Sequence, residues 1–560
     1  MHGRRLLAVL ALVAGAACSP GAEQVDKPEG RDTGGVDSVP PADSAPPVDS
    51  GDSARPVDSG DDSGVDTAAG PDADGDGSPD DEDCDDADPA VYPGGPDVCH
   101  DGIDTNCDGV DDTCDWAGEE NIISYTADVM EFEPYDPSYW HAVCAGSDVD
   151  GDGVGDIVIG ADHPDPADVR VYVVRGGATF PESASDGAWA SLSAPGDASR
   201  YAENIDCAGD LDGDGREDFL LQAAGDELGT LVMNGVVAGA QDRDAATGIT
   251  VAGTTTLWPG TSRGSADLDG DGDDDLALSY PAGDAGDGWG VAMFAGPLAA
   301  DVTVGDAFAT VTPGAMLCQN DAGTGCEPSL DPSGDFDGDG LLDLAAGHGL
   351  APLGGGARGA AWVFLGPFSG EQDGEDADLA LVGEFDYHSL GNRVAAGDLD
   401  GDGYDDLVAG SAGAAADSAI QADGAVYVFP GGPSLPAAVG DALAVVIGPR
   451  GSALGYYLAS GRDLDGDGRD EVAMYSGRVL LPESDVNEWV VFVAEGPAGG
   501  VDAIDLPGRF HDPTTSYTGT AMNLADDVTG DGRPDLVVDM CPPDGGCYRP
   551  PRVVVARGGA

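Results

Sequence analysis

The sequence predicts an all-β fold, a seven-bladed β-propeller, from three observations. An aspartate-rich loop of the form DxDGDGxxD recurs seven times within residues 119–560, and successive copies start 57 to 68 residues apart. A fixed period of this length marks a repeat architecture. Each loop is followed by a short apolar run and then by a second one that ends near Gly or Pro. We therefore expect a ring of similar modules, with four strands in each.

The strands of one module are read from the fifth copy. An apolar segment at 392–398 precedes the loop, the run DLVAGS follows it, and GAVYVFPGG comes next. Short apolar runs between turn residues predict buried strands. A variable fourth strand, such as 377–385 in the preceding repeat, completes four antiparallel strands in one blade. Because an unpaired strand edge is a liability, we expect residues 121–129 to supply the outer strand of the last blade.

The chemistry of the loop is clearest in the copy from Asp398 to Asp406, DLDGDGYDD. The pattern directs the side chains at positions 1, 3, 5 and 9 and the carbonyl at position 7 inward, and glycines at positions 4 and 6 permit the tight turn. These groups offer only hard oxygen atoms, which suit Ca²⁺. Position 12 is apolar in all seven copies, for example Ile159, and no helix pattern follows. The loops are therefore not EF-hands.

We expect about seven Ca²⁺ ions in the propeller, one in each loop. The alternative is that the acidic runs are only solvated turns. Glu471 replaces Asp at position 9 of the sixth loop, and Thr529 replaces Asp at position 3 of the seventh. In loop order, the predicted ligands are Asp148, Asp150, Asp152, Val154, Asp156; Asp210, Asp212, Asp214, Arg216, Asp218; Asp267, Asp269, Asp271, Asp273, Asp275; Asp335, Asp337, Asp339, Leu341, Asp343; Asp398, Asp400, Asp402, Tyr404, Asp406; Asp463, Asp465, Asp467, Arg469, Glu471; and Asp527, Thr529, Asp531, Arg533, Asp535.

The fifth repeat carries a family resemblance. SLGNRVAAGDLDGDGYDDLVAGS followed by GAVYVFPGG resembles the FG-GAP repeat of integrin alpha-subunit propellers and of many secreted bacterial proteins. The resemblance implies a seven-bladed propeller with Ca²⁺ in such loops over 119–560. The opening FG pair is mostly absent and no inserted adhesion domain interrupts the blades, so the ligand binding of integrins is not carried over.

A separate Cys- and Asp-rich module is expected at 72–115. It resembles thrombospondin type 3 repeats and, more closely, the metal-binding motif of bacterial surface proteins of the MopE type, which implies one or two further Ca²⁺ ions. So short a segment has little apolar core, so disulfides and metal are its expected stabilisers. A rigid spacer is the favoured role, and a metal-handling site, including a transition-metal site at His100, is the alternative. The candidate ligands are Asp72, Asp74, Asp76, Asp80, Asp104, Asn106, Asp108 and Asp112.

The N-terminus predicts export. Residues 1–18 have a basic start and an apolar stretch that fit a secretory signal, and their end resembles a bacterial lipoprotein signal, in which Cys18 is acylated. Gly15 stands where such signals usually carry leucine, and cleavage near Ala17 with release from the cell is the alternative. Residues 19–71 are almost entirely Pro, Asp, Ser, Gly and other small or polar residues, a composition that predicts a disordered stalk. We expect an outward-facing outer-membrane lipoprotein or a secreted protein.

Ten further cysteines, an even number, predict disulfides in an oxidising compartment. Cys144 and Cys207 each precede a loop in consecutive repeats, so they are candidates to join neighbouring modules. The other candidates are two local pairs, Cys318 with Cys326 and Cys541 with Cys547, and a group that pairs within itself, Cys84, Cys99, Cys107 and Cys114.

The charge balance limits the classes of ligand that the chain is expected to bind. With 106 acidic and 22 basic residues, the chain is not expected to bind nucleic acid or an anionic membrane, except through a lipid anchor. We expect a monomeric binding or adhesion protein whose inter-strand loops bind an extracellular protein or carbohydrate. A polysaccharide hydrolase or lyase and a purely structural envelope component are the alternatives.

No catalytic residue is predicted. The histidines show no triad or zinc-ligand spacing, whereas the enzyme alternative requires a deep pocket with convergent acids. Aromatic residues in blade loops are candidates for stacking on sugars, although core packing is the favoured role for each. Five of the seven histidines lie in different repeats, His141, His163, His348, His388 and His511, and the aromatic candidates are Trp258, Tyr456 and Tyr457.

Overall fold

The structure is a computed structural model whose described residues all lie in the larger of two compact units, Gly94–Ala560. The described residues are 129–131, 141–161, 170–181, 183–193, 205–222, 229–234, 236–242, 248–254, 265–282, 288–312, 328–351, 358–385, 388–413, 423–480, 487–495, 500–502, 508–510, 517–541 and 552–557.

Seven β-sheets form, one for each acidic loop, and each has four antiparallel strands that we number outward from the ring axis. The strands are His141–Ser147, Asp156–Ala161, Arg170–Val174 and Ala190–Ser193 in blade 1; Ile205–Cys207, Phe219–Gln222, Gly229–Met233 and Gly248–Ala252 in blade 2; Ser265–Ala266, Asp275–Ala282, Gly288–Phe294 and Ala309–Thr312 in blade 3; Ser329–Gly334, Asp343–His348, Ala360–Phe364 and Leu379–Val382 in blade 4; Leu390–Gly397, Asp406–Ser411, Ala425–Phe429 and Ala444–Ile447 in blade 5; Leu458–Ala459, Glu471–Leu480, Asn487–Glu495 and Gly508–Phe510 in blade 6; and Tyr517–Ala525, Asp535–Cys541, Arg552–Arg557 and Val129–Glu131 in blade 7.

The apolar runs are continuous because every blade is covered on both faces by its neighbours. Along the second strand of blade 1, Ile157 and Ile159 pack with residues of blade 7, whereas Val158 packs with residues of blade 2. Successive side chains of a strand point to opposite faces, so one apolar run contributes to two interfaces. Seven such clusters, one at each junction between blades, form the core of the described part of the chain.

The outer edges of four blades are covered by the next blade. In each case a short strand between the third and fourth strands of the following blade pairs in parallel with the outer strand of the preceding one. These edge strands are Gly239–Asp242, Val302–Thr303, Gly370–Asp373 and Gly500–Asp502. Pairing of this kind satisfies backbone groups that an open edge leaves exposed. The described helices are short, and they are the α-helix Ala184–Gly187 and the 3₁₀ helices Val304–Asp306, Gly374–Asp376 and Val439–Asp441.

The ring is closed by a strand from the N-terminal side of blade 1. Val129–Glu131 pairs antiparallel with Arg552–Arg557, with Val129 opposite Val554 and Glu131 opposite Arg552. The expected closing segment, 121–129, overlaps this strand only at Val129, and residues 121–128 lie outside the described residues. The closing strand therefore comes from the predicted side of blade 1 but extends two residues beyond the predicted end.

Candidate metal centres in the seven acidic loops

Each acidic loop joins the first strand of a blade to the second. The glycines at positions 4 and 6 have φ between 71° and 96° in all seven loops, which is the left-handed region that glycine adopts without strain. All seven loops lie on the same face of the ring, because the first strands of all blades run in the same direction along the axis. The connections that lead from one blade to the next start on the opposite face.

The carboxylate at position 1 organises the turn. In the fifth loop, Asp398 Oδ1 accepts hydrogen bonds from the backbone N–H groups of Gly401 and Asp402 at 2.8 and 3.0 Å, and its Oδ2 accepts one from Gly403 at 2.9 Å. The same arrangement recurs at Asp148, with bonds of 2.8 to 2.9 Å. The backbone therefore holds the first predicted ligand in place.

The carboxylate at position 9 connects the loop to the sheet. Asp406 is buried, and its Oδ2 accepts a hydrogen bond from the Leu399 N–H, while its Oδ1 accepts one from the Gly431 N–H just after the third strand. Asp156 makes the corresponding bond to the Gly176 N–H in the first loop. The predicted ligand nearest the core is thus fixed on two sides by the backbone.

In five of the loops the structure brings three or four of the predicted carboxylate ligands together. Within each group one oxygen atom per residue lies within 4.8 Å of the others. The groups are Asp463, Asp465, Asp467 and Glu471; Asp148, Asp150 and Asp156; Asp210, Asp212 and Asp218; Asp267, Asp269 and Asp271; and Asp335, Asp337 and Asp339. In the first loop, Arg175 also forms an ion pair with Asp150.

Burial next to other carboxylates disfavours the ionised form of the acid at position 9. Burial first, and then repulsion from neighbouring aspartates, raises the pKa of Asp406 to about 7 and that of Glu471 to about 9. The same causes raise the pKa of Asp218 to about 8. A divalent cation at the centre of the group reverses this preference, because it favours the ionised form of every ligand.

The donor set fits a hard cation. Asp400 Oδ1 and Glu471 Oε1 are buried without any hydrogen-bond partner, which is costly unless a cation contacts them. All the donors are carboxylate or carbonyl oxygens, as Ca²⁺ prefers. In the seventh loop, Thr529 is buried, and its Oγ1 hydroxyl lies 3.4 Å from Asp535 Oδ1. That loop therefore offers three carboxylates, from Asp527, Asp531 and Asp535.

Four acids at position 8, immediately before the last ligand, were not among the predicted site residues. Each accepts a hydrogen bond from the backbone N–H of the position 1 residue in the preceding loop. These residues are Glu217, Asp274, Asp405 and Asp470. In the sequence they are marked only by two consecutive acids at positions 8 and 9. This pattern also occurs in ordinary acidic turns, and the contact with the neighbouring blade is visible only in the structure.

The structure contains a disulfide between Cys144 and Cys207, whose Cα atoms are 5.4 Å apart. This bond joins the first strands of blades 1 and 2. Cys541 ends the second strand of blade 7. The acylation candidate, the module at 72–115 and the remaining disulfide candidates lie outside the described residues; these cysteines are Cys18, Cys84, Cys99, Cys107, Cys114, Cys318, Cys326 and Cys547. Among the described helices, none is long and apolar enough to cross a bilayer.

A cavity of about 260 Å³ lies on the ring axis, and all seven blades contribute to its wall. Its acids are engaged within the protein. Asp526 forms a two-point ion pair with Arg462, and Asp331 accepts hydrogen bonds from Ser333 and from the Ala396 N–H. Glu217 and Asp274 accept the hydrogen bonds from the neighbouring loops. These contacts join neighbouring blades around the ring axis.

The aromatic candidates differ in exposure. Tyr456 is 41% exposed, whereas Tyr457 is 9% exposed and packs against Tyr475, with the Arg393 guanidinium 5.2 Å from the centre of its ring. The core role therefore holds for Tyr457 but not for Tyr456. Tyr456 precedes the first strand of blade 6, so it lies on the face opposite the acidic loops. Trp258 lies outside the described residues.

His388 is buried between blades 4 and 5 and serves packing. Its Nδ1 accepts a hydrogen bond from the Glu384 N–H at 3.0 Å, so the ring proton lies on Nε2, 2.9 Å from the Tyr427 hydroxyl. Burial lowers the pKa of His388 to about 4. The other histidine whose side chain is described, His348, is also buried and its Nδ1 accepts a bond from the Leu350 N–H.

We expect His388 to make the protein less stable in mild acid. Between about pH 4 and 6.5 the unfolded chain binds a proton at this site and the folded chain does not, so stability falls as pH falls through this window, by about 3 kcal/mol at most. Urea unfolding of the wild-type chain and of His388→Gln at pH 4.5 and 7.5 measures this. The loss on acidification should be smaller in the variant, and equal losses would contradict the assignment.

Comparison with known families agrees with this geometry. The FG-GAP repeat model matches residues 139–174 and 390–429, which span the first three strands of blades 1 and 5. The MopE copper-binding model, described as "Putative metal-binding motif", matches residues 83–113. Integrin alpha-PS5 of Drosophila melanogaster is 32% identical over 155 residues, which is 27% of this chain and 14% of the integrin.

Two solved structures are similar at low scores. Rhamnogalacturonan lyase YesW gives a TM-score of 0.28 at 14% identity, over 75% of this chain and 67% of that one. The V. cholerae biofilm matrix protein Bap1 gives 0.24 at 12% identity, over 77% and 90%. At such scores neither likeness carries an argument. The fold and the sequence matches establish that this chain is a seven-bladed β-propeller with FG-GAP repeats, similar in part to an integrin alpha chain, and that it carries a MopE-type motif.

Proposed function

We propose that this chain is a calcium-binding adhesion or ligand-binding protein that acts at the cell surface or outside the cell. The observation that carries the proposal is the recurrence of the acidic loop, which in five blades brings three or four carboxylates close together. The calcium ions hold the blades in register, and the opposite face of the ring contacts the ligand. The integrin likeness, over 27% of this chain, supports a role in binding.

Calcium has a structural role in this proposal. In each loop the carboxylates at positions 1, 3, 5 and 9 and the carbonyl at position 7 hold the ion, except that position 3 of the seventh loop is Thr529. When bound, the ion compensates the negative charge of its ligands. The backbone bonds to Asp398 and Asp406 orient these carboxylates before the ion arrives, which lowers the cost of ordering the site.

The ligand-binding face is the one that carries Tyr456. Its ring is exposed, while its backbone is fixed by a hydrogen bond from the Asn392 side-chain amide to the Tyr456 carbonyl at 3.2 Å. The buried ring of Tyr457 packs edge to face against it at 4.9 Å. A rigid exposed aromatic ring suits stacking on a sugar or contact with a protein side chain. The ligand class we propose is therefore a carbohydrate or an extracellular protein.

The test is a mixed glycan and surface-protein array probed with the intact mature chain, with millimolar Ca²⁺ and with EDTA. We expect calcium-dependent binding to one defined class, and we expect Tyr456→Ala to weaken it about tenfold, as for a central aromatic contact. Tyr475→Phe is the control, because Tyr475 is buried and its ring contact with Tyr457 is kept. A blank array from a folded chain would contradict the proposal and favour a structural role.

We propose that acylation of Cys18 anchors the chain at the cell surface and that residues 19–71 form a stalk. The MopE-type match at 83–113 lies between this stalk and the propeller in sequence, as expected for a spacer. The mass of the mature N-terminus distinguishes an acylated Cys18 from cleavage near Ala17. An N-terminus near Ala17 without a lipid would contradict the anchor and favour release of the protein from the cell.

A further inference from the structure

Neighbouring acidic loops are joined by a two-point contact, which we call the position 8 latch. Between loops 4 and 5, the Asp335 N–H donates to Asp405 Oδ2 at 2.8 Å, and the Asp405 N–H donates back to the Asp335 carbonyl at 3.1 Å. Asp335 is the position 1 ligand of loop 4, and Asp405 immediately precedes the position 9 ligand of loop 5. One loop therefore holds the first ligand of the loop before it.

The latch recurs at three other junctions. Asp470 of loop 6 bonds in both directions with Asp398 of loop 5, at 3.0 and 2.9 Å. Glu217 of loop 2 does so with Asp148 of loop 1, at 3.1 Å in each direction. Asp274 of loop 3 accepts the bond from the Asp210 N–H of loop 2 at 3.0 Å.

The acid is missing at the remaining three junctions. Position 8 is Leu342 in loop 4 and Pro534 in loop 7, and proline has no N–H to donate. Position 8 of loop 1 is Gly155. Its N–H donates to the Asp527 carbonyl at 2.9 Å, but glycine has no side chain that could accept a hydrogen bond in return. The latches therefore join loops 1, 2 and 3 and loops 4, 5 and 6, and leave loop 7 outside both sets.

A second contact also joins neighbouring loops, but it occurs with and without the position 8 acid: Gly270 of loop 3 faces Leu341 of loop 4, and Gly530 of loop 7 faces Val154 of loop 1. The contact is made by the residue at position 7, whose carbonyl is a predicted ligand. Its side chain lies over the glycine at position 4 of the preceding loop. A Cβ added to Gly338 would lie 2.4 Å from the Tyr404 ring, and one added to Gly401 would lie 3.3 Å from the Arg469 side chain. Positions 7 and 8, which flank the ion of one loop, thus contact the preceding loop at its first and fourth positions.

We propose that the calcium sites are coupled in two sets of three, loops 1–3 and loops 4–6, through the acids at position 8, and that loop 7 lacks this coupling to either set. An ion in loop 5 fixes the Tyr404 carbonyl and Asp406, and therefore Asp405 between them. Asp405 in turn fixes Asp335, the first ligand of loop 4. The coupling is reciprocal, because an ordered Asp335 also fixes Asp405. This inference rests on the proposed binding of calcium by the loops.

The test uses Tb³⁺ alone as the probe in the full chain. The ring of Tyr404 lies between loops 4 and 5, so its sensitised Tb³⁺ luminescence reports on these two sites. We expect Asp405→Ala to weaken the Tyr404-dependent binding by about tenfold, within the usual range of coupling between two sites, and to make the titration less steep. Asp405→Asn should keep most of the affinity, because its amide oxygen can still accept the Asp335 N–H.

Two controls separate the outcomes. Tyr404→Phe identifies the part of the signal that belongs to this reporter, and Glu375→Gln removes a charge from an exposed residue of the 3₁₀ helix Gly374–Asp376. An Asp405→Ala chain that binds within twofold of wild type, or a loss equal to that of Glu375→Gln, would overturn the coupling while leaving calcium binding intact. A wild-type chain that binds no Tb³⁺ would overturn the calcium proposal, and the coupling with it.

Discussion

We expect chelation of calcium to lower the melting temperature of the intact chain by about 20 °C. The buried acids at position 9 are the reason, since Asp156, Asp343 and Asp406 each have a pKa raised to about 7 by burial next to other carboxylates. At free calcium near a hundred times the dissociation constant, each occupied loop would contribute about 2.7 kcal/mol to the free energy of unfolding, or about 19 kcal/mol over seven loops. A propeller of this size should melt about 1 °C lower for each kcal/mol lost.

Differential scanning calorimetry of the chain with millimolar Ca²⁺ and with EGTA measures this shift. Re-addition of calcium should restore the original transition, while the same concentration of Mg²⁺ should restore little, because Mg²⁺ demands octahedral geometry and gives up its waters reluctantly. A shift of about 2 °C or less would mean that the loops are solvated acidic turns.

Loss of the closing strand is the second large effect. Met130→Pro combined with Glu131→Pro should lower the melting temperature by about 5 °C or split blade 7 into a separate, earlier transition. In an antiparallel pair only alternate residues exchange hydrogen bonds, so two adjacent prolines remove the donor whichever residue carries it. The partner strand, Arg552–Arg557, is then left as an open edge.

The control keeps the pairing. Met130→Thr combined with Glu131→Thr retains both N–H groups and introduces residues that favour strands, so its melting temperature should stay near that of the wild type. Calorimetry of the two variants in calcium gives the comparison. Equal melting temperatures for the proline variant and the wild type would show that the ring does not depend on this closure.

The blades and their loops were predictable because each has a strong local pattern. Alternate residues of runs such as that from Ile157 to Gly160 pack on different neighbours, so every residue of this run is buried and none is polar. The glycine pairs of the loops are required by φ angles that other residues rarely adopt. These features depend only on the sequence within one repeat.

Apart from the pairing of Cys144 with Cys207, contacts that depend on the neighbouring repeat were mostly not predicted. The edge strand Gly370–Asp373 reads GEQD and is largely exposed, so it has no apolar period, and only its pairing with Ala309–Thr312 of the preceding blade makes it a strand. The role of Asp405 likewise depends on a backbone N–H 70 residues away. The closing strand overlaps the predicted segment 121–129 only at Val129, because so short a strand carries too little pattern to fix its bounds.

The count of calcium ions bound by one chain tests the central claim most directly. The mature protein is dialysed against calcium, freed of loosely bound ions, and analysed by atomic emission spectroscopy beside a chain in which Asp398 and Asp463 are replaced by Asn. We expect about seven ions in the propeller and one or two more in residues 72–115, and about two fewer ions in the variant. One ion or none in the wild type, or the same count in both chains, would contradict the account.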